Sequence, residues 1–299
     1  MAYFSLILAV VIWGLSYIFM KDGTAQYPKD LFQLWRYVLV SAIYVIIFYK
    51  SIRSINAKLW VTGLFKLGLA NFVLSFFSIY AVQYTTPTRI VMINSLIVGV
   101  VPLLQYIHYK TQISLNEKMA IGISLLAITF LLEPYKMTFQ IGDVLGLVGM
   151  LGYAYTIVIM SRLLQKEQTS VIQVSFLTVA GSAFYFGLVA LYYGLFHFEW
   201  LAAQIIPTDV HTIAAIAYMI VIVSIFSNLL QSFGQRKVSS VVVAIVFCLE
   251  PVITAVFDYV LLGNVPSTGI IICGVLLVLA TITASMKKVR AETSVDSGW

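Results

Sequence analysis

The chain has 299 residues, of which 61% are hydrophobic and only 10% are charged. A soluble domain has roughly a quarter of its residues charged, so this composition excludes an ordinary soluble protein. The net charge of +6 comes from lysines and arginines that lie mainly at the ends of apolar stretches, which predicts a lipid bilayer as partner and no nucleic acid.

Ten apolar runs of the sequence are long enough to cross a bilayer as helices. They cover roughly residues 3–21, 31–49, 60–81, 86–109, 118–134, 142–161, 171–195, 211–233, 238–262 and 266–286. We therefore predict an all-α polytopic membrane protein with ten transmembrane helices.

The first run carries Trp13, Ser16 and Tyr17, which offer aromatic faces beside hydroxyl groups. Such side chains suit an amphipathic organic solute, although aromatic residues also pack membrane helices in the absence of any ligand. In the second run Arg36 lies near one end, where its long side chain is expected to reach the interface. Pairing of Arg36 with an acid is left open.

In the third run Asn71, Ser75 and Ser78 are spaced i, i+4, i+7 and share one face of a helix. This stripe predicts the wall of a polar cavity, although serine and asparagine also bond neighbouring membrane helices together. In the fourth run Pro102 removes a helical hydrogen bond one turn back. We expect a bend there, or a free carbonyl acceptor beside Asn94.

The sixth run opens with Gly142, Gly146 and Gly149 on one helical face, which predicts a close approach to another helix. Tyr153 and Thr156 follow and repeat the aromatic and hydroxyl pattern of the first run.

In the eighth run Ser224, Asn228 and Gln231 have the same spacing as the stripe in the third run. Two such stripes favour two walls of one cavity.

The ninth run carries Glu250 near its middle, followed at once by Pro251. An ionisable group at that depth is costly and usually functional. Pro251 has no N–H, so the carbonyl of Phe247 loses its helical partner. We expect Glu250 to hold a solute or a proton; a purely structural buried acid is the alternative.

Internal repetition predicts the architecture. At an offset of 140 residues Trp13 and Ser16 match Tyr153 and Thr156, and at an offset of 153 the polar stripe of the third run matches that of the eighth. Because each copy would hold five spans, an odd number, the second copy is expected to be inverted in the membrane. We predict a first repeat at residues 1–136, a second at 137–286 and a cytoplasmic basic tail at 287–299.

Lysines and arginines in the connections set the expected orientation. Twelve fall on the side of the N-terminus and four on the other side, with Arg36 and Lys66 inside runs. The excess predicts cytoplasmic termini and an integral protein of the plasma membrane, expected to be bacterial.

Motifs for catalysis are absent from the sequence. There is no P-loop, no H-E-x-x-H and no C-x-x-C, and the three histidines are far apart. We expect no enzyme activity, no cofactor and no metal, so that uphill transport would draw on a proton or ion gradient. A homodimer is left open.

Five short segments, taken in order, resemble the EamA-type transporters of the drug/metabolite transporter superfamily. They are Ile12-Trp13-Gly14, Arg36-Tyr37, Ile141-Gly142-Asp143, Leu249-Glu250-Pro251-Val252 and Leu261-Leu262-Gly263. The resemblance implies ten helices with a central cavity and export of amino acids, drugs or related metabolites. One departure is Asn264, where the family usually has a glutamate.

We therefore expect a secondary transporter that exports a small organic metabolite, such as an amino acid or drug-like solute, by alternating access. The expected substrate-binding residues are Trp13, Ser16, Tyr17, Asn71, Ser75, Ser78, Asn94, Tyr153, Thr156, Ser224, Asn228, Gln231 and Glu250. The alternatives are a nucleotide-sugar or phosphate exchanger of the same superfamily, and a membrane scaffold without transport activity.

Overall fold

A computed structural model describes residues 1–25, 27–132, 140–166, 169–263 and 265–286. The predicted basic tail, 287–299, and Asn264 lie outside these ranges. Helices cover all ten predicted runs, and no strand occurs within the described ranges, so the prediction of an all-α protein with ten spans is confirmed. The spans are α1 (Ala2–Gly23), α2 (Lys29–Arg53), α3 (Ala57–Tyr84), α4a (Pro87–Asn94) with α4b (Ile97–Tyr109), α5 (Leu115–Leu132), α6 (Ile141–Leu164), α7 (Val171–Phe196), α8 (Val210–Gln235), α9a (Ser240–Phe247) with α9b (Glu250–Leu262) and α10 (Thr268–Ser285).

Side-chain caps define where several helices begin. The backbone N–H of Leu59 donates to Asn56 Oδ1 over 2.8 Å at the start of α3. At the start of α7, Ser170 and Gln173 form a reciprocal capping box. These polar residues separate the apolar runs and place the span ends within a few residues of the predicted ones.

The two ends of the bundle can be told apart by their chain segments. Tyr3, near the start of α1, and Met286, just after α10, line the same peripheral cavity. Both described chain ends therefore lie at one end of the bundle, here called the proximal end. The opposite end, where α2 begins and α7 ends, is the distal end.

A short helix that the apolar runs did not predict, Phe198–Gln204, follows α7 at the distal end. The Tyr27 hydroxyl and the Trp35 indole N–H both donate to the carbonyl of Ile205, over 2.9 and 2.6 Å. Burial raises the pKa of Tyr27 to about 12, so its hydroxyl keeps its proton and remains a donor. These bonds fix the segment after the short helix onto the first half of the chain.

Two spans are broken near their middle. The ninth breaks at Cys248 and Leu249, directly before the Glu250-Pro251 pair, as the missing N–H of Pro251 predicts. The fourth breaks at Ser95 and Leu96. The two breaks touch, because Cys248 Sγ donates to the Ser95 carbonyl over 3.2 Å.

Helix α4b continues through Pro102, so the interruption of the fourth span does not lie at the proline. The chain instead tightens earlier: the N–H groups of Ser95 and Leu96 donate to carbonyls three residues back, over 3.1 and 3.0 Å. Contact with the broken ninth span, rather than proline, accompanies the break. Ser95 and Cys248 are 153 residues apart, the same offset that relates the two polar stripes.

Helices of the two sequence halves interleave. The main neighbours of α1 are α8 and α9, α2 packs on α7, α3 packs on α6 and α7, and α5 packs on α10. The two predicted repeats therefore do not form separate bundles. The helices of each repeat pack mainly against helices of the other repeat.

Glycines allow the closest of these contacts, as predicted for the face of α6. A Cβ on Gly149 would lie 3.0 Å from Ser78 Oγ, and one on Gly152 would lie 2.6 Å from the backbone nitrogen of Leu74. Gly68 in α3 and Gly181 in α7 touch in the same way, with a Cβ on either 2.4 or 2.5 Å from the other's Cα. This packing positions the polar stripe of α3 between α6 and α7.

Candidate functional site

A cavity of about 140 Å³, lined by both polar and apolar side chains, lies midway along the helices. It can hold several water molecules or a small solute. Among the described residues, those of eight spans line it, and none of α5 or α10 does. Of the thirteen predicted substrate-binding residues, these line the cavity: Trp13, Ser16, Asn71, Ser75, Ser78, Asn94, Tyr153, Thr156, Ser224, Asn228, Gln231 and Glu250. The side chain of Tyr17 lies outside the described part of the structure.

Aromatic rings form one wall. The Trp13 and Tyr153 rings, which occupy matching places in the two predicted repeats, have centroids 6.2 Å apart and meet edge to face. Phe247 contacts both, at 4.9 Å from Trp13 and stacked at 5.8 Å on Tyr153. This wall offers an apolar surface beside the hydroxyls of Ser16 and Thr156.

The stripe on α3 bonds to other helices and also faces the cavity. Asn71 Nδ2 donates to Ser182 Oγ over 2.8 Å, and Ser75 Oγ shares a hydrogen bond of 2.5 Å with the Tyr37 hydroxyl. On α8, Asn228 Nδ2 donates to the carbonyl of Ser175 over 3.4 Å. The stripe residues therefore both bond neighbouring helices and line the cavity, as the two interpretations of the stripes required.

The α8 stripe lies on an irregular stretch of helix. Residues Met219–Ser227 are π-helical, and α3 has a shorter π-helical stretch at Gly63–Gly68. Such widened turns are frequent at functional sites. Here the widened turn carries Ser224 and Ser227 into the cavity wall.

Arg36 occupies the cavity wall, so the expectation that it reaches the interface is wrong. Its Nε donates to Ser224 Oγ over 2.7 Å and its Nη1 to Gln33 Oε1 over 3.3 Å. The guanidinium also lies 4.9 Å from the centroid of the Tyr37 ring. These contacts hold a positive charge inside the bundle, and no acid takes part in them.

Glu250 supplies an acidic side chain to the same cavity. It is 4% exposed, lines the same cavity and is the first residue of α9b, directly after the break in the ninth span. The N-terminus of a helix favours a negative charge. A helix interrupted beside a cavity is also how many transporters present backbone groups to their solutes.

Sequence reasoning missed the part of the wall that α2 supplies, namely Gln33, Arg36 and Tyr37. Their spacing of i, i+3, i+4 in an apolar run was the available signal. The closeness of Arg36 to a span end instead favoured an interfacial position.

A second cavity, of about 510 Å³, opens at the proximal end between the ends of α1, α5, α9a and α10. Glu117 lies in it and accepts hydrogen bonds from Ser114 and from Ser239, the cap of α9a. At the distal end Arg89 and Asp143 form an ion pair, with Nε–Oδ1 and Nη2–Oδ2 distances of 2.6 Å. This pair joins α4a to α6, across the two halves of the chain.

A bundle of ten membrane helices with a polar, charged cavity midway along them has the architecture of a membrane transporter. The chain belongs to the EamA-like transporter family, whose model matches residues 1–133 and 140–286. The family resemblance drawn from the sequence is thereby confirmed.

Two individual proteins are similar along almost the whole chain. An uncharacterized transporter of Archaeoglobus fulgidus is 23% identical over 293 residues, which cover 95% of this chain and 96% of the relative. One solved crystal structure superposes with a TM-score of 0.70 at 15% identity and covers 95% of this chain and 96% of its own. At that identity the structural likeness supports the fold alone.

Proposed function

We propose that the protein is a secondary transporter that exports a small organic solute through the central cavity by alternating access. The observation that carries this proposal is that both halves of the chain contribute polar side chains to one cavity midway along the spans. In transporters with inverted repeats the solute site lies at this depth, between the repeats. The twelve predicted residues in the cavity wall, together with Tyr17, are the proposed solute contacts.

The presence of an arginine and a glutamate in one cavity favours a zwitterionic solute. Arg36 and Glu250 face the same space, and the cavity also has an aromatic wall. An α-amino acid carries a carboxylate that suits the guanidinium, an ammonium group that suits the carboxylate, and a side chain that can lie against Trp13 and Tyr153. We therefore place amino acids ahead of other drug-like solutes.

The arrangement in the membrane follows from the same proposal. The proximal end would face the cytoplasm, with both termini there, and the protein would lie in the plasma membrane. Residues 1–136 and 137–286 would be the two inverted repeats, and 287–299 the basic tail. A proton or ion gradient would drive export, with Glu250 tuning the charge of the cavity.

An exchanger of phosphorylated solutes is the second candidate, and Arg36 is the observation that favours it. A phosphate group needs more positive charge than an amino acid carboxylate. Arg36 is the one cation among the described residues that line the cavity, so we rank this function below amino acid export.

The test combines binding and flux. Purified protein is heated with a panel of amino acids, nucleotides, sugar phosphates and drugs, because a solute that binds the folded state raises the melting temperature. Solutes that stabilise it are then followed in proteoliposomes. Stabilisation by amino acids with flux across the bilayer is expected, whereas stabilisation by sugar phosphates alone would favour the exchanger.

Glu250→Gln is the matched variant for this assay. It keeps the shape of the side chain but removes the charge, so we expect impaired flux or a lost pH dependence while the protein still inserts in the membrane. Unchanged flux at every pH would remove Glu250 from the transport mechanism.

A further inference from the structure

Asp30 is a second buried acid, separate from the central cavity. It is the second residue of α2 at the distal end and is 5% exposed. The hydroxyls of Tyr80 in α3 and Tyr193 in α7 both donate to its Oδ2, over 2.7 and 2.9 Å. Three helices from both halves of the chain therefore meet at this carboxylate.

The other oxygen of Asp30 is not satisfied. Its Oδ1 is buried and has no hydrogen-bond partner among the described residues. Neither does the described part of the chain provide an ion pair to Asp30. A buried carboxylate is costly unless both its charge and its lone pairs are compensated, and two tyrosines on one oxygen leave half of that requirement unmet.

The surroundings of Asp30 contain few other charges. The titratable or charged groups of the described residues that interact with it are Tyr80 from α3, Tyr193 from α7 and Lys29, which precedes it on α2. One helical turn further along α2, Gln33 bonds to Arg36 in the cavity wall. Asp30 is thus one turn away from the solute cavity and is connected to both halves of the bundle.

We propose that Asp30 is a proton-binding site of the transport cycle, in which Oδ1 takes up one proton from water at the distal end and releases it through the central cavity to water at the proximal end. A proton suits this site better than a metal cation. It needs only the unpartnered oxygen, whereas a cation needs several converging oxygens. A proton on Oδ1 leaves Oδ2 able to accept the tyrosine hydrogen bonds again when the distal end closes.

This inference rests on the proposed export function, because an inward proton gradient drives a solute out through a group that takes up a proton at the distal end and gives it up at the proximal end. Separation of Tyr80 and Tyr193 as the distal end opens would give Asp30 that access. Closure would cover it again, as in the present structure.

Infrared spectroscopy of the purified protein in lipid tests the site without a solute. The C=O stretching band of protonated carboxyl groups is followed as the pH is stepped. We expect wild type to show a band that is lost in Asp30→Asn and kept in Asp209→Asn, a matched change of an exposed acid that caps α8 at the same end. Identical spectra of wild type and Asp30→Asn would overturn the proposal.

Transport provides a second, independent readout. For an exchange of one proton per amino acid, a gradient of one pH unit supports an accumulation ratio of about tenfold. Wild type should reach it in proteoliposomes, while Asp30→Asn should exchange labelled amino acid but accumulate none. Accumulation driven by a sodium gradient and not by a pH gradient would overturn the proton assignment.

The failure of the export function has a different signature. If wild type moves no amino acid of the panel, the proposed function is wrong, whereas the infrared band still decides whether Asp30 binds a proton. Tyr193→Phe guards against misfolding of the Asp30 variant, since it removes one donor but keeps the carboxyl group, and the band should persist in it.

Discussion

Arg36 shows how much a single side chain of this protein depends on its neighbours. A guanidinium within the apolar part of a membrane protein is costly unless its donors are satisfied. Here Ser224 from α8 and Gln33 from α2 accept two of its hydrogen bonds, and the Tyr37 ring lies beside it. The remaining donors are available to a carboxylate in the cavity.

Replacement of Arg36 by glutamine should therefore change selectivity. Wild type should bind an amino acid more tightly than the corresponding amine without a carboxylate, because hydrogen bonds to a charged group contribute about 1.5–3 kcal/mol, or roughly 10- to 100-fold in affinity. Arg36→Gln should lose that preference, while Ser224→Ala, which removes only an anchoring acceptor, should keep most of it. Dissociation constants measured by calorimetry decide the matter, and an undiminished preference in Arg36→Gln would contradict this role.

At the scale of the helices, small residues and broken spans shape the cavity. Gly149 and Gly152 allow α6 to lie against the backbone of α3, which brings the stripe of α3 to the cavity. The breaks in the fourth and ninth spans meet at Ser95 and Cys248. For the ninth span the sequence predicted a lost helical hydrogen bond before Pro251, where the break lies. It gave no signal for the break at Ser95, because the packing partner of Ser95 cannot be read from local residues.

Gly152→Ala tests the α3–α6 contact. The added Cβ would lie 2.6 Å from the Leu74 nitrogen and 2.7 Å from the Ala70 carbonyl oxygen, both backbone atoms that cannot turn away. Overpacking of this kind costs about 1–3 kcal/mol, so the melting temperature in detergent should fall.

Gly187→Ala is the control for that change, since a Cβ at this position on α7 meets nothing within 4 Å. Alanine is the better helix former, and this variant should be neutral or slightly stabilised. Equal melting temperatures of the two variants would show that the α3–α6 contact yields without cost.

At the scale of the whole molecule, both ends of the bundle carry polar contacts between the halves. The distal end has the Arg89–Asp143 pair, with Asp143 3% exposed, and the proximal end has the bond between Glu117 and Ser239. The proposed alternating access requires such contacts to break in turn.

A cleavable cross-link between cysteines at positions 89 and 143 should therefore stop transport. In a background of Cys248→Ser and Cys273→Ser, the double variant Arg89→Cys, Asp143→Cys would be treated with a bifunctional thiol reagent. Flux in proteoliposomes should drop to the level of empty vesicles and recover when the linker is cleaved, whereas each single cysteine variant should be insensitive to the linker. Full flux through the cross-linked protein would mean that the α4a–α6 contact stays closed throughout the cycle.

The sequence by itself determined the number of spans, the all-helical class and most of the cavity wall. Apolar length and helical spacing are local properties, and they place Asn71, Ser75 and Ser78 on one face wherever the helix packs. The match between the two halves added the partner stripe at Ser224, Asn228 and Gln231.

Only the tertiary structure decided which helices meet. It placed Arg36 in the cavity, joined the two broken spans, interleaved the halves and brought Tyr80 and Tyr193 onto Asp30. The physical reason is that lipid and protein interior are equally apolar to a helix, so hydropathy does not tell which face turns inward. That choice depends on close glycine contacts and on hydrogen bonds between residues more than a hundred positions apart.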